Sequence, residues 1–368
     1  MRDKAAWVKN NAEAATVDGG RWGAERGLHM TNPGIDVGPE VIRFVIEQFQ
    51  VEDIWSVKES RKLIWWPFRL AVTVWADPMQ LDVGHAVCKI HARTDVLKNV
   101  PPAEKTYAIL AMLNACAILS RYVYDPTSMK VSLECSAYIH NGTESWLKPH
   151  FATAVSIQVA QAHAELDHLV EMSGAQADES LAPVGVRTIP DAMLHILHLF
   201  KEKGDAPSHF LGAECENVRK MRPELCDIVM ANSDKKGATV EFPFPGCVPS
   251  STMLRIHADE SHPKIGNGAL LVLKIPAIPG VKQDYQLANH LNLLEMQQWS
   301  RTRSFGAWCP DAQAANSEEA IAYVSFIPSA ARRNGLLQNE VMMMAARSRW
   351  LHDFLKVSSK GHMKGLRF

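Results

Sequence analysis

The sequence predicts an α+β protein made of two tandem copies of a helix-strands-helix-strands-helix unit, each an antiparallel sheet packed by helices. Self-similarity along the chain carries this expectation. An aromatic-Pro-Phe triplet occurs twice, Trp66-Pro67-Phe68 and Phe242-Pro243-Phe244, at an offset of 176. Each triplet leads through strand-like sequence to a helical stretch opening near a tyrosine, Tyr107 or Tyr285, 40 and 42 positions past the proline. Both stretches then carry Leu-Asn, Leu113-Asn114 and Leu291-Asn292, with the asparagine seven positions beyond the tyrosine. Finally, Ala137-Tyr138 is echoed by Ala322-Tyr323 at an offset of 185, which also maps Ala160 onto Ala345 and Leu166 onto Leu351. Ordered offsets of 176, 178 and 185 describe a duplication with two small insertions in the second copy.

The elements of the first unit follow from periodicity. Gly38 to Gln50 has a proline near its start and apolar Val41, Ile42, Phe44, Val45 and Phe49, the pattern of an amphipathic helix. Lys62 to Trp75 and Val83 to Arg93, punctuated by Asp77-Pro78 and Gly84, read as two or three antiparallel strands. Glu104 to Tyr122 has helical spacing, Val131 to Ile139 alternates as a strand, and His140-Asn141-Gly142 breaks it. A closing helix from Glu144 or Pro149 to Met172 presents Phe151, Val155, Val159, Ala162 and Leu166 on one face.

In the second unit the strands are Thr239 to Phe244, Ser251 to His257, Ala269 to Ala277 and Ala320 to Ile327, and the helices Gln283 to Arg303 and Asn334 to Val357. Two segments compete for its opening helix, Ile189 to Lys203 and Asn217 to Ala231. The resulting division is an N-terminal extension over 1–34, a first unit over 35–172, a small, polar, proline-containing linker over 173–186, a second unit over 187–357 and a basic tail over 358–368.

Composition bounds the function. A chain of 368 residues suits two domains, and 47% hydrophobic with 21% charged residues is ordinary for a globular protein. A formal charge of -1 gives no long-range attraction for a polyanion, so nucleic acid is not the expected partner. Met1 to Asn11 lacks an apolar leader run, and no segment supplies the roughly 18 apolar residues of a spanning helix. Seven cysteines without a CxxC pair suit reduced, buried thiols and a cytoplasmic location.

The order of elements, the Leu113-Asn114 helix, the polar turn at Asp125-Pro126, the strand pair holding Ala137-Tyr138 and the alanine-rich helix through Leu166 resemble the type III secretion chaperone-like and YbjN-like superfamily, here as tandem TY-Chap-type domains. The resemblance implies small α+β domains that bind client peptides or partner proteins, often as dimers. A covalent tandem is similar to such a dimer in one polypeptide.

Chemistry-bearing patterns are sparse. The sequence has no HExxH, GxSxG or phosphate-binding glycine loop, and Gly266-Asn267-Gly268 reads as a hairpin turn. His195 and His198 share a helix face without further ligands, His163 and His168 point apart, and Glu165 with Asp167 and Glu318 with Glu319 read as surface charge. His257, Asp259 and His262, in an expected hairpin turn, are the residues an enzyme reading would use. Asn114 and Asn292, repeated in both copies, are expected to make a cap or sheet-edge contact. Met342-Met343-Met344 reads as core filling. Trp65, Trp66 and Phe68 are the densest aromatic feature and the candidate partner-binding residues, since neighbours on a strand face opposite ways and one tryptophan can be exposed. The expected function is a non-enzymatic chaperone or adaptor with no cofactor and no metal, holding a client or partner protein; an enzyme with a site between the units and a structural subunit of a larger assembly are the alternatives.

Overall fold

The computed structural model describes residues 36–82, 85–196, 209–221, 229–234, 237–278, 281–296, 304–311, 320–331 and 333–359. The protein is α+β, with two antiparallel sheets and their helices. The first half runs α1 (Gly38–Phe49), β1 (Ser56–Glu59), β2 (Lys62–Trp65), β3 (Val72–Ala76), β4 (Gln80–Asp82), β5 (His85–Lys98), α2 (Glu104–Asn114), β6 (Arg121–Asp125), β7 (Lys130–Ile139) and α3 (Glu144–Ser173). A two-residue strand, β8 (Gln176–Ala177), follows. The second half runs α4 (His209–Arg219), β9 (Val229–Asp234), β10 (Gly237–Pro243), β11 (Ser251–His262), β12 (Gly266–Ile275), α5 (Tyr285–Met296), β13 (Ala307–Pro310), β14 (Ile321–Pro328) and α6 (Leu336–Ser359).

The main strand orders are β1-β2-β3-β5-β7-β6 and β9-β10-β11-β12-β14-β13. Leaving aside the short β4 and β8, these are the same topology: four consecutive strands, a helix, an edge strand, then a strand inserted between that edge and the fourth. The aromatic-Pro-Phe triplets fall at the end of the second strand in each half, and the two Leu-Asn pairs in α2 and α5. The Ala-Tyr echo is out of register within equivalent strands. Leu133 faces the edge residue Tyr122, and Tyr323 faces the edge residue Trp308, so Leu133 is the counterpart of Tyr323 at an offset of 190.

Several elements differ from the sequence reading. The helix expected to reach Tyr122 stops at Asn114, and Arg121–Asp125 is a strand, because Asn114 turns its amide onto the Tyr122 backbone and Leu119 takes a left-handed φ of 55°. The two or three antiparallel strands expected over Lys62 to Trp75 and Val83 to Arg93 are present as β2, β3 and β5, with the Trp66–Ala71 connection between the first two. The helix preceding the second sheet is His209–Arg219, which shares only Asn217–Arg219 with the second candidate; 222–228 lies outside the described residues, and Val229–Asp234 is strand, which excludes a helix to Ala231. Of Ile189 to Lys203, Ala192–His195 forms a short 3-10 turn and 197–203 lies outside the described residues, as do the extension to 35 and the tail from 360.

Helix α1 buries Val41, Ile42, Val45 and Phe49 against β3 and β5, with Phe49 stacked on Trp65 at 5.8 Å between ring centroids. Helix α3 lies on β5 and β7. Instead of one apolar face it is buried all round from His150 to Ala162, the mark of a helix enclosed on every side. Its far side meets the second half: His150 sits edge-on to Phe305 at 4.9 Å, and Lys264 in the β11–β12 turn pairs with Glu165. Glu165 is therefore buried, not surface charge, and also accepts from Tyr122 Oη at 2.7 Å; Asp167 stays exposed and pairs with Arg69. Met344 is fully buried, and Met342 and Met343 are half-buried.

Candidate functional site

The three candidate aromatics have different fates. Trp65 ends β2 facing the core and is 0% exposed, so no partner can reach it. Trp66, one residue on, turns to the other side of the strand but is also covered, and its indole Nε1 donates to Ser180 Oγ at 3.0 Å. Phe68 is half-buried, tilted toward the His163 ring at 6.4 Å. The expected exposed tryptophan is absent because the segment after α3 folds back over it.

That segment has the composition of a linker yet is bound along the first half. Gly174, with a left-handed φ of 68°, ends α3 and sends the chain back. β8 pairs with the end of β5, Asp178 N donates to Val96 O, and Asp191 N donates to Pro67 O. Arg187 is the principal clamp. Its Nη1 donates to Trp66 O at 3.1 Å, Nη2 reaches Glu52 and Asp191, Nε donates to Ile189 O, and the guanidinium lies over the Trp55 ring. Between strap and strand lies a cleft of about 480 Å³ lined by Trp66, Phe68, Arg69, Lys98 and, from the strap, 176–177, 179–182 and 185–187. Its charged groups are already matched: Arg69 with Asp167 and Glu179, Lys98 with Asp178, Arg187 with Glu52 and Asp191.

Beside the cleft the strap projects a loop. Ala182 and Gly185 exchange both backbone hydrogen bonds, closing a two-residue turn at Pro183-Val184, and Gly185 takes the φ of 106° that favours glycine. Leu181, Val184, Val186 and Ile189 are 71, 58, 69 and 76% exposed. Eight large hydrophobic side chains are exposed among the described residues, and half of them fall in this nine-residue stretch. Scattered apolar residues on a surface need no explanation, but a cluster does.

The two halves meet at a polar junction. Helices α2 and α5 pack together across the edge strands β6 and β13. Asn114 accepts from Tyr122 N and donates to Tyr122 O at 2.8 and 2.9 Å; Asn292 does the same with Trp308. Both asparagines thus make the sheet-edge contact expected of them, satisfying backbone groups that an edge leaves open. Asn289 repeats the device between halves, bonding Tyr124 N and O at 2.8 Å each. Beyond it, Glu295 is fully buried and accepts from Arg347 Nε (2.7 Å), Arg121 Nη1 (3.1 Å), Ser304 Oγ (2.9 Å) and Trp308 Nε1 (3.1 Å). Burial alone would raise this carboxyl, but Arg347 and Arg121 outweigh it and hold it below the usual carboxylate range.

Lys89 Nζ caps the end of α5, donating to Glu295 O and Met296 O at 3.2 and 3.0 Å. Burial, reinforced by Arg121, pulls its pKa down to about 8. A lysine depressed on folding binds its proton less well than in the unfolded chain, so its contribution rises with pH from about 8 towards 10.5. Compared with a Lys89→Met chain, the wild type is expected to gain up to about 2 kcal/mol between pH 7.5 and 9.5, read from urea midpoints at the two pH values.

The other candidates are dispersed. His257 and His262 lie in β11 rather than in a turn, which the bulge between His257 and Glu260 lengthens to His262. His257 is half-exposed and 3.9 Å from Glu260, whereas His262 is buried against Phe326. The Asp259 side chain, His198, Glu318 and Glu319 lie outside the described residues. Gly266 to Gly268 opens β12, and a Cβ at Gly268 would strike Ile327 O, so this glycine serves strand packing. His163 accepts from Leu70 N at Nε2 and donates from Nδ1 to Val159 O, while His168 is exposed. No group of three His, Cys, Asp or Glu among the described residues is placed to hold a metal, and no helix among them is long and apolar enough to cross a membrane.

Sequence reasoning missed Leu181, Val184, Val186, Ile189 and Arg187. Apolar residues spaced irregularly in a Gly/Pro-containing stretch were the available signal. Comparison with known proteins gives no match: no family model, no curated protein and no solved structure is similar to this chain.

Proposed function

We propose that this protein is a non-enzymatic, cytoplasmic adaptor or chaperone that holds a partner protein on the surface built around Trp66 and Phe68. The observation that carries this reading is the exposed apolar run Leu181, Val184, Val186 and Ile189 on the strap, of which Leu181 and Val186 also line the cleft. Water meets that apolar surface in the isolated chain, and a partner covering it would gain roughly 25 cal/mol per Å² buried. Trp66 serves by anchoring the strap, and Phe68 contributes a half-buried ring to the cleft wall. The alternative of an enzyme using His257, Asp259 and His262 has less behind it, since His257 and His262 have separate surroundings.

The test is a Leu181→Asp, Ile189→Asp chain. Both side chains are exposed, so its unfolding midpoint should stay within about 0.5 kcal/mol of wild type. Binding to the partner, measured by co-purification from the native cytosol and then by titration calorimetry with that purified protein, should weaken at least tenfold. Undiminished binding would refute the assigned surface.

A further inference from the structure

Arg121 opens β6 with its side chain directed to the second half, and the strand register sets it directly opposite Glu134 of β7. Side chains two apart on a strand share a face, so Ser132, Glu134 and Ser136 line up beside it, while Cys135 turns to the apolar core under α3. Arg121, Glu134 and Ser136 are 0, 2 and 1% exposed. One end of the guanidinium, Nη1, donates to Glu295 Oε2 of α5. Its side edge, Nε and Nη2, has no hydrogen-bond partner among the described residues, and neither have Glu134 Oε2 and Ser136 Oγ. Burying such groups unpaired is costly, most of all for a charge.

We infer that one structural water molecule binds at the seam between the halves, accepting from Arg121 Nε and Nη2 and donating to Glu134 Oε2 and Ser136 Oγ. The donors and acceptors balance. The side edge of a guanidinium directs two N–H groups to one point in its plane, a water oxygen can accept both, and its two protons then serve a carboxylate oxygen and a hydroxyl oxygen. Buried waters make about two to four such bonds to groups that are otherwise unpaired. Two other arrangements leave a remainder. Were Glu134 to place its carboxylate directly on the Arg121 edge, Ser136 Oγ would stay unpaired, and Glu134 would draw away from Ser132 Oγ, which donates to its Oε1, and from Arg93 at 3.5 Å. A halide would accept from Arg121 but has no proton to give Glu134 and would lie against its charge. The water extends the junction: Glu295 holds one end of Arg121 and the water its side edge, while Ser136 exchanges both backbone hydrogen bonds with Ser304 of the second half.

Two measurements on the full chain test this. A crystal structure from sodium bromide solution, at a resolution that shows ordered water, is expected to carry one oxygen within about 2.7–3.2 Å of all four atoms and no anomalous bromide signal among them. Glu134 seated directly on the Arg121 edge, no density between the four atoms, or a bromide peak there would overturn the water. Ser136→Ala gives a second reading in solution by urea unfolding, since alanine removes one of the water's partners without filling its place. With the water bound to the hydroxyl, the folding equilibrium constant of the variant should fall about fivefold. With the hydroxyl unpaired, its removal would leave that constant unchanged or raise it, and this result would also overturn the proposal.

Discussion

Replacing Glu295 by glutamine is expected to lower the stability of the whole chain by about 3–5 kcal/mol at neutral pH, because Arg121 and Arg347 would lose the buried carboxylate that both of them bond. Glutamine keeps the shape and one acceptor, so the loss reports charge rather than packing. Arg347 also lies over the Tyr323 ring at 3.6 Å and cannot swing out to water without abandoning that contact. The pH dependence has a definite sign. A carboxyl whose pKa is lower in the folded chain contributes stability that is complete above its unfolded pKa, near 4.3, and is lost as pH falls through the folded value. The gap between wild type and Glu295→Gln, measured by urea unfolding, should therefore be widest at pH 6–8 and shrink in acid. A gap that does not depend on pH would show that Glu295 acts through its shape.

Asn289→Ala is expected to cost about 2–4 kcal/mol, since it strands both the N–H and the C=O of Tyr124 in a buried place. Hydrogen exchange separates this from a general weakening: the Tyr124 amide should lose its protection while the Tyr122 amide, still held by Asn114, keeps it. The counterpart positions behave differently. Counting from the two Leu-Asn pairs, Asn289 corresponds to Ala111, and counting from Tyr122 and Trp308, Tyr124 corresponds to Pro310. Proline has no N–H to satisfy, so the opposite helix needs no second asparagine. Ala111→Asn should accordingly bring no stabilisation, and a gain in stability from it would contradict this account.

What the sequence disclosed depended on whether a signal was local and periodic. The tandem organisation was legible because Trp66-Pro67-Phe68 and Leu113-Asn114 occupy positions that strand ends and edge contacts restrict, so both copies kept them. The task of the asparagines could be read for the same reason. The extent of α2 could not, because helical spacing continues to Tyr122 while a tertiary bond from Asn114 to that residue makes it an edge strand. Glu165 looks like surface charge on any helical wheel but is bonded by Tyr122 and Gln161 of its own half and by Lys264 from the β11–β12 turn of the other. The strap was illegible for a related reason: Gly174, Gly185 and the small residues between them read as a tether, and the fixing bonds come from Trp66, Arg69 and Pro67, more than a hundred residues upstream.

The paired halves also have a bearing on concentration. Two separate copies meeting through α2, α5 and the edge strands would part on dilution below their dissociation constant. Joined through one chain, each meets the other at an effective concentration set by the connection, of millimolar order for short links, however scarce the protein is. The strap between them is held down from Gln176 to Asp191, which shortens the free connection further. A protein of this construction keeps its two-sheet frame at nanomolar abundance.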